Sequence, residues 1–242
     1  MEQKQPDAHY VKDPACFISG LCKLESKCSE CREKGLGYLL QIHYIPRSMI
    51  PLEYMRELWD LDLPPSAIPL LKYMAQIEQM VEEGKGFYLY SSKTGTGKTT
   101  AACNALKKYL ALSVFKDAEN LDNRRVLYIN VPMLLEMIRA SYNNPHPQLD
   151  YLLDELKDLS TAPKLILFDD IGAEKPSDWV RERLYSLLNF RVSNGLANIF
   201  TSNLSPAELA VQLGDRVASR CMANNRAMEL TTIDHRIGGL PW

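Results

Sequence analysis

The stretch SSKTGTGKTT at 91–100 decides the fold. It follows an apolar run, GFYLYS at 86–91, and opens a run compatible with a helix. Glycines in such a loop let backbone N–H groups turn inward on an anion. In a loop ending Gly95-Thr96-Gly97-Lys98-Thr99, Lys98 reaches the outer phosphates of a nucleotide and the Thr99 hydroxyl ligates Mg²⁺. Thr94 and Thr100 flank these residues and complete the candidate nucleotide-binding run. A helix starting near Lys98 points the positive end of its dipole at the same anion.

One position departs from the pattern. G-x-x-x-x-G-K-[ST] asks for glycine at 92, where this chain has Ser92. A small residue serves there if its φ stays negative. A glycine- and threonine-rich turn that merely contains Gly-Lys-Thr is the plain alternative.

Working outward, short apolar runs alternate with helix-compatible ones. Strands are expected at 86–91, 125–131 (RVLYINV), 164–171 (KLILFDDI), 197–204 (ANIFTSNL) and 227–233 (AMELTTI). Helices are expected at 68–83, from Lys98 to about Leu110, on both sides of Asn143-Asn144-Pro145, at 177–192 with Ser177 as cap, and from Ser205-Pro206 onward. This alternation predicts an α/β fold, a parallel sheet with helices on both faces and a ligand at the carboxyl ends of its strands. Asp62-Leu63-Pro64-Pro65 is a natural break, dividing a cysteine-rich segment 1–62 from a larger domain 63–242.

The bulk composition sets bounds. The 242 residues carry a formal net charge of −2, which argues against a generic coat for duplex DNA. No apolar run approaches the ~20 residues needed to span a bilayer, and the polar start is no secretory signal, so a cytoplasmic protein without a membrane partner is expected. Cys103 and Cys221 stand apart and are expected to be buried as small apolar residues.

The strand LILFDD ends in two carboxylates. Asp169 is placed to hold the Mg²⁺ shell through water, and Asp170 to orient or deprotonate an attacking water. Asp170 stands where a longer glutamate is more usual, so hydrolysis is less secure than binding. The next strand ends in Thr201-Ser202-Asn203, and Asn203 can hydrogen-bond the water or the terminal phosphate. In GDRVASRC at 214–221, Arg216 and Arg220 share a helix face. Offered to a neighbouring subunit's phosphate, an arginine there would stabilise transition-state charge.

In this order, the phosphate loop, FDD, TSN and SRC resemble an AAA+ ATPase. VPMLLEMIRASYNN at 131–144, FDDIGAEKPSDW at 168–179, IFTSNL at 199–204 and LGDRVASR at 213–220 resemble, more narrowly, the replicative helicase loaders of the DnaC/DnaI group. The IstB-type transposition ATPases share much of the pattern. The resemblance implies an ATP-switched adaptor that binds a hexameric replicative DNA helicase and helps place it on single-stranded DNA. It implies ATP and Mg²⁺ at Lys98 and Thr99, with Asp169 and Asp170 as the acidic pair and Asn203 as sensor. It also implies Arg220 as the finger, with Arg216 beside it, and self-association through the ATP site. Few residues follow Arg220, so the helical lid of many AAA+ proteins is not expected. The region 133–159 corresponds to a helix used on single-stranded DNA, which makes Arg139 and Tyr142 candidate DNA contacts: a cation for phosphate and a ring for stacking. Lys93 reads as a solvated surface lysine.

Four thiolates, Cys16, Cys22, Cys28 and Cys31, are enough for one tetrahedral Zn²⁺. His43 is a possible substitute ligand and His9 a poorer one. An iron–sulfur cluster and free thiols are the other readings. A segment this short buries too little to fold without a staple or partner. Three functions follow: a helicase loader, an IstB-type transposition helper, and a nucleotide-binding scaffold without significant hydrolysis.

Overall fold

The structure is a computed structural model and describes residues 40–55, 68–116 and 124–231. Strands β1 (Gly86–Tyr90), β2 (Val126–Asn130), β3 (Leu165–Asp169), β4 (Ala197–Ser202) and β5 (Asn225–Glu229) form one sheet in the order β2-β3-β4-β1-β5. Every neighbouring pair is parallel. The expected parallel α/β sheet is therefore present, and β4 lies between the phosphate-loop strand β1 and the carboxylate strand β3. That order brings the ends of β1, β4 and β3 side by side, at a crevice of the kind that binds ligands in open α/β sheets.

Alternation along each strand builds two apolar layers. Phe87, Leu89, Leu165, Leu167 and Ile199 bury into one layer, which also holds Leu70, Ile77 and Leu106. Tyr88, Ile166, Phe168 and Phe200 bury into the other, with Leu135, Leu184 and Val217. The first layer is covered by α2 (Ile68–Ala75), α3 (Ile77–Glu82) and α4 (Lys98–Lys116). The second is covered by α5 (Val131–Ser141), α6 (Pro147–Glu155), α7 (Asp178–Ser193), α8 (Pro206–Leu213) and α9 (Asp215–Met222). Strands covered on both faces read as continuous apolar runs, as LILF in β3 does.

Local signals set the helix starts. The Ser177 hydroxyl accepts from Val180 N–H, as expected of a cap, and Ser205 forms a capping box with Glu208. Asn130 caps α5, with Pro132 in the first turn. Three expectations shift. The helix expected at 68–83 is two helices, broken at Gln76, whose φ of −117° leaves the helical region. The helix after the loop runs on to Lys116, because Ala111 and Val114 keep packing beyond Leu110. The last strand starts two residues early, where Asn225 pairs with Gly86, and it is an edge strand with mostly exposed side chains. Cys103 and Cys221 are both buried, as expected, and burial pushes each thiol well up.

Two fully buried cations among the described residues, Lys107 and Arg191, shape the domain. Lys107 of α4 is fully buried, and its Nζ donates to the Tyr54 carbonyl at 2.5 Å, tying the 3₁₀ turn Leu52–Tyr54 to the helix. Leu40, Tyr44 and Ile50 join the same apolar layer, together with the turn Leu40–Tyr44 and helix α1 (Ile45–Ser48). Residues 40–55 thus pack on the large domain, although they precede the expected boundary. On the other face Arg191 of α7 is fully buried and braces the starts of β3 and β4. It donates to Asn198 Oδ1 (2.5 Å), Ala197 O (2.8 Å) and Pro163 O (3.1 Å).

Candidate nucleotide site

The loop between β1 and α4 has the geometry its sequence calls for. Gly95 and Gly97 take φ of +69° and +80°, left-handed values that favour glycine. Ser92 is not among the residues of positive φ, so serine is tolerated where the pattern has glycine. A Cβ built on Gly97 would meet nothing within 4 Å, so the space over the loop is open. Lys98 is buried to 6% exposure, and its Nζ donates to loop oxygens: Lys93 O at 3.0 Å, Ser91 O at 3.4 Å and Thr96 Oγ1 at 3.5 Å. Lys93 itself is exposed, as expected, and so is Thr94. Gly95 and Thr100 are half-buried, and Thr96 is buried within the loop.

Asp169, at the end of β3, is the hub. It is 3% exposed and accepts from hydroxyls on separate elements: Thr99 Oγ1 to Oδ1 (2.9 Å), Thr201 Oγ1 to Oδ1 (2.5 Å) and Tyr128 Oη to Oδ2 (2.7 Å). Thr99 lies in the first turn of α4, Thr201 near the end of β4 and Tyr128 in β2, so the sheet order itself assembles this group. Burial foremost, then the charge of Asp169 and the hydrogen bond to it, push the Tyr128 phenol far above its ordinary range. It is a permanent donor.

Asp170 follows at φ +57°, a left-handed value that aspartate adopts more readily than most residues. Its backbone N–H donates to Thr201 Oγ1 at 3.0 Å. Thr201 therefore joins the two aspartates. Sequence singled out Asn203 in this segment and not Thr201, which meets Asp169 only because β4 lies beside β3. Asn203 lies exposed just past the end of β4.

After the acidic pair, both carboxylate oxygens of Glu174 accept from Gly172 N–H, and burial raises this carboxyl above its ordinary value. Gln212 of α8 donates to Gly172 O and to Glu174 O (3.3 Å), fastening this loop to the helix before the arginines. Arg216 and Arg220 gather over Tyr185 of α7, their guanidinium carbons 4.1 Å and 5.8 Å from its ring centre. Hydrogen bonding from Arg216 foremost, then Arg220, holds that phenol below its ordinary value.

Arg139 and Tyr142 do come together, on a surface the sequence did not foresee. Tyr142 Oη accepts from Trp179 Nε1 (3.2 Å) and from Arg183 Nη2 (2.6 Å), while Arg139 stacks 5.0 Å from the centre of the Trp179 ring. Tyr142 is 58% exposed. Cations interleaved with aromatic faces at the junction of α5 and α7 form a platform suited to stacked bases and phosphates. Trp179 and Arg183 lie far from Arg139 in sequence, so only folding shows the group.

These donors fit a nucleoside triphosphate with a divalent metal: an open glycine cradle, a buried lysine on loop oxygens, and a hydroxyl–carboxylate pair at the helix start. Lys98 and the loop N–H groups would hold the phosphates, while Thr99 and Asp169 would hold the metal. Among the described residues no group of three or more His, Cys, Asp or Glu side chains could hold a metal ion. His43 Nε2 accepts from Arg47 Nη1 at 2.9 Å, whereas Cys16, Cys22, Cys28 and Cys31 lie outside the described residues. Among the described residues no helix is long and apolar enough to cross a membrane.

The replicative helicase loader DnaI of Bacillus subtilis is 34% identical over 198 residues, covering 78% of this chain and 55% of that protein. A crystal structure of DnaI, 27% identical, superposes with a TM-score of 0.59 and covers 76% of this chain and 95% of that one. The similarity points to the DnaC/DnaI group of helicase loaders. The replicative helicase loader DnaC of Escherichia coli strain K12 is 25% identical over 158 residues, 63% of this chain and 58% of that protein. The chain thus spans little more than half the length of the curated loaders it matches. No protein-family model matches it. Likeness to the loader group is in keeping with an AAA+ type of core, as the sheet and loop just described are.

Proposed function

We propose that this chain is an ATP-dependent loader that binds a hexameric replicative DNA helicase and helps deposit it on single-stranded DNA. The observation that carries the reading is the coincidence of a phosphate cradle with the Thr99–Asp169 pair, in a chain 34% identical to a helicase loader.

In this reading Lys98 exchanges its loop oxygens for phosphate oxygens, which are charged and therefore stronger acceptors. Bound Mg²⁺ supplies charge neutralisation on the phosphates. Asp170 orients the attacking water and takes its proton, and Asn203, exposed just past the end of β4, hydrogen-bonds the water or the terminal phosphate. Arg220, with Arg216 beside it, serves a neighbouring protomer, so a lone protomer turns over slowly and self-association speeds it. Arg139, Tyr142, Trp179 and Arg183 carry single-stranded DNA. The N-terminal cysteines hold Zn²⁺, an assignment that rests on their number and spacing, and the resemblance to the loader group makes that head the part that grips the helicase.

Two measurements test the reading. The full chain is expected to co-purify with the replicative helicase of its host in the presence of ATP. Recovery of no helicase, with or without ATP, would end the loader reading. Trp179→Ala is expected to weaken binding of a fluorescent single-stranded oligonucleotide about tenfold, in line with ~1–3 kcal/mol per stacked base. Unchanged anisotropy curves would remove the platform from the DNA path. Tighter binding of duplex than of single strands would favour the transposition-helper reading.

A further inference from the structure

Tyr128 has no part in the loader reading, yet it touches the carboxylate on which the metal depends. Asp169 sits on β3, and its bracing donors come from the strands on either side: Thr201 on β4 to Oδ1 and Tyr128 on β2 to Oδ2. Among the described residues Tyr128 is the only hydrogen-bond partner of Oδ2. The third donor, Thr99, differs in kind. Its hydroxyl oxygen would itself ligate the metal through a lone pair in the nucleotide reading, and its proton can stay on Oδ1. Oδ1 thus has two donors, whereas Oδ2 has Tyr128, from the opposite side of the strand to Thr201.

We propose that Tyr128 is a positioning residue for the divalent metal ion: it locks the orientation of Asp169 from the side of the strand opposite Thr201. This rests on the nucleotide-site reading above and extends it. Residues that hydrogen-bond a metal-binding carboxylate from behind commonly set metal affinity by about 10–100-fold. Without the hydroxyl, Oδ2 of the buried carboxylate loses its donor, and the terminal torsion is less restrained. Both changes weaken the metal without touching the phosphate cradle.

The test is binding of a fluorescent ATP analogue to the full chain, titrated with Mg²⁺ and repeated in EDTA. Tyr128→Phe keeps the ring and removes the hydroxyl, and Tyr128→Leu removes both. In each variant the Mg²⁺ midpoint is expected to rise about tenfold. Affinity in EDTA should stay within about twofold of the parent, which also reports that the variant is folded, since Lys98 and the loop carry that binding. A purely structural role for the ring would lower both affinities together in Tyr128→Leu and leave Tyr128→Phe like the parent. That pattern, or an unchanged midpoint in Tyr128→Phe, overturns the proposal and leaves the nucleotide site standing. Failure of the parent chain to bind the analogue at any Mg²⁺ concentration overturns the nucleotide reading and Tyr128 with it.

Discussion

Lys98→Ala is expected to lower ATP affinity by about 100-fold, the scale of a charge-assisted hydrogen bond lost from an enclosed phosphate. Isothermal titration with Mg²⁺ and ATP is the direct measurement. Lys98 is nearly buried, and its bonds to Lys93 O, Ser91 O and Thr96 Oγ1 at 3.0–3.5 Å are made to weak neutral acceptors. A group held in this way gains much more from a triphosphate than it loses by leaving the loop. Stability should therefore change little, by no more than about 1 kcal/mol, and a denaturant curve taken beside the titration separates binding from folding. Retention of parental affinity would mean that the glycine-rich turn is not a phosphate cradle, and the functional reading would fall with it.

Arg191→Ala is expected to cost about 3–5 kcal/mol of stability, a large share of the ~5–15 kcal/mol typical of a domain. The guanidinium is fully buried, and burial pulls it down to about 9. Its Nε and both Nη groups are spent on Asn198 Oδ1, Ala197 O and Pro163 O. Removal leaves these buried acceptors without a donor and opens a cavity against the starts of β3 and β4. Relief of the desolvated charge offsets part of the loss. Arg191→Lys should recover little, because an ammonium cannot reproduce the planar fork. The check is urea unfolding followed by far-UV dichroism. A loss below about 1 kcal/mol in Arg191→Ala would show that the strand starts are held by other means.

How far each part could be read from the chain depends on the range of the interaction that makes it. Ser177 and Ser205 cap their helices through bonds to residues three positions on, so adjacent letters sufficed. The break at Gln76 and the continuation of α4 to Lys116 were missed because packing, more than local preference, ends those helices. Asp169 was legible as the end of an apolar strand. Thr201 and Tyr128 were not, since they approach it only because β4 and β2 flank β3. Trp179 and Arg183 escaped for the same reason: their partners on α5 lie some forty residues away (|i−j| of 37 for Trp179–Tyr142 and 41 for Arg183–Tyr142).

By itself the chain determined the alternating parallel α/β plan and the phosphate loop, with its lysine and threonine. It also determined the acidic pair, because periodicity, glycine placement and cap chemistry act over a few residues. The tertiary structure alone decided which hydroxyls converge on Asp169, which aromatic rings receive Arg139, Arg216 and Arg220, and that residues 40–55 pack on the large domain. Those contacts depend on strand order and helix packing, and a pairing between distant residues leaves no trace in either partner's neighbourhood along the chain.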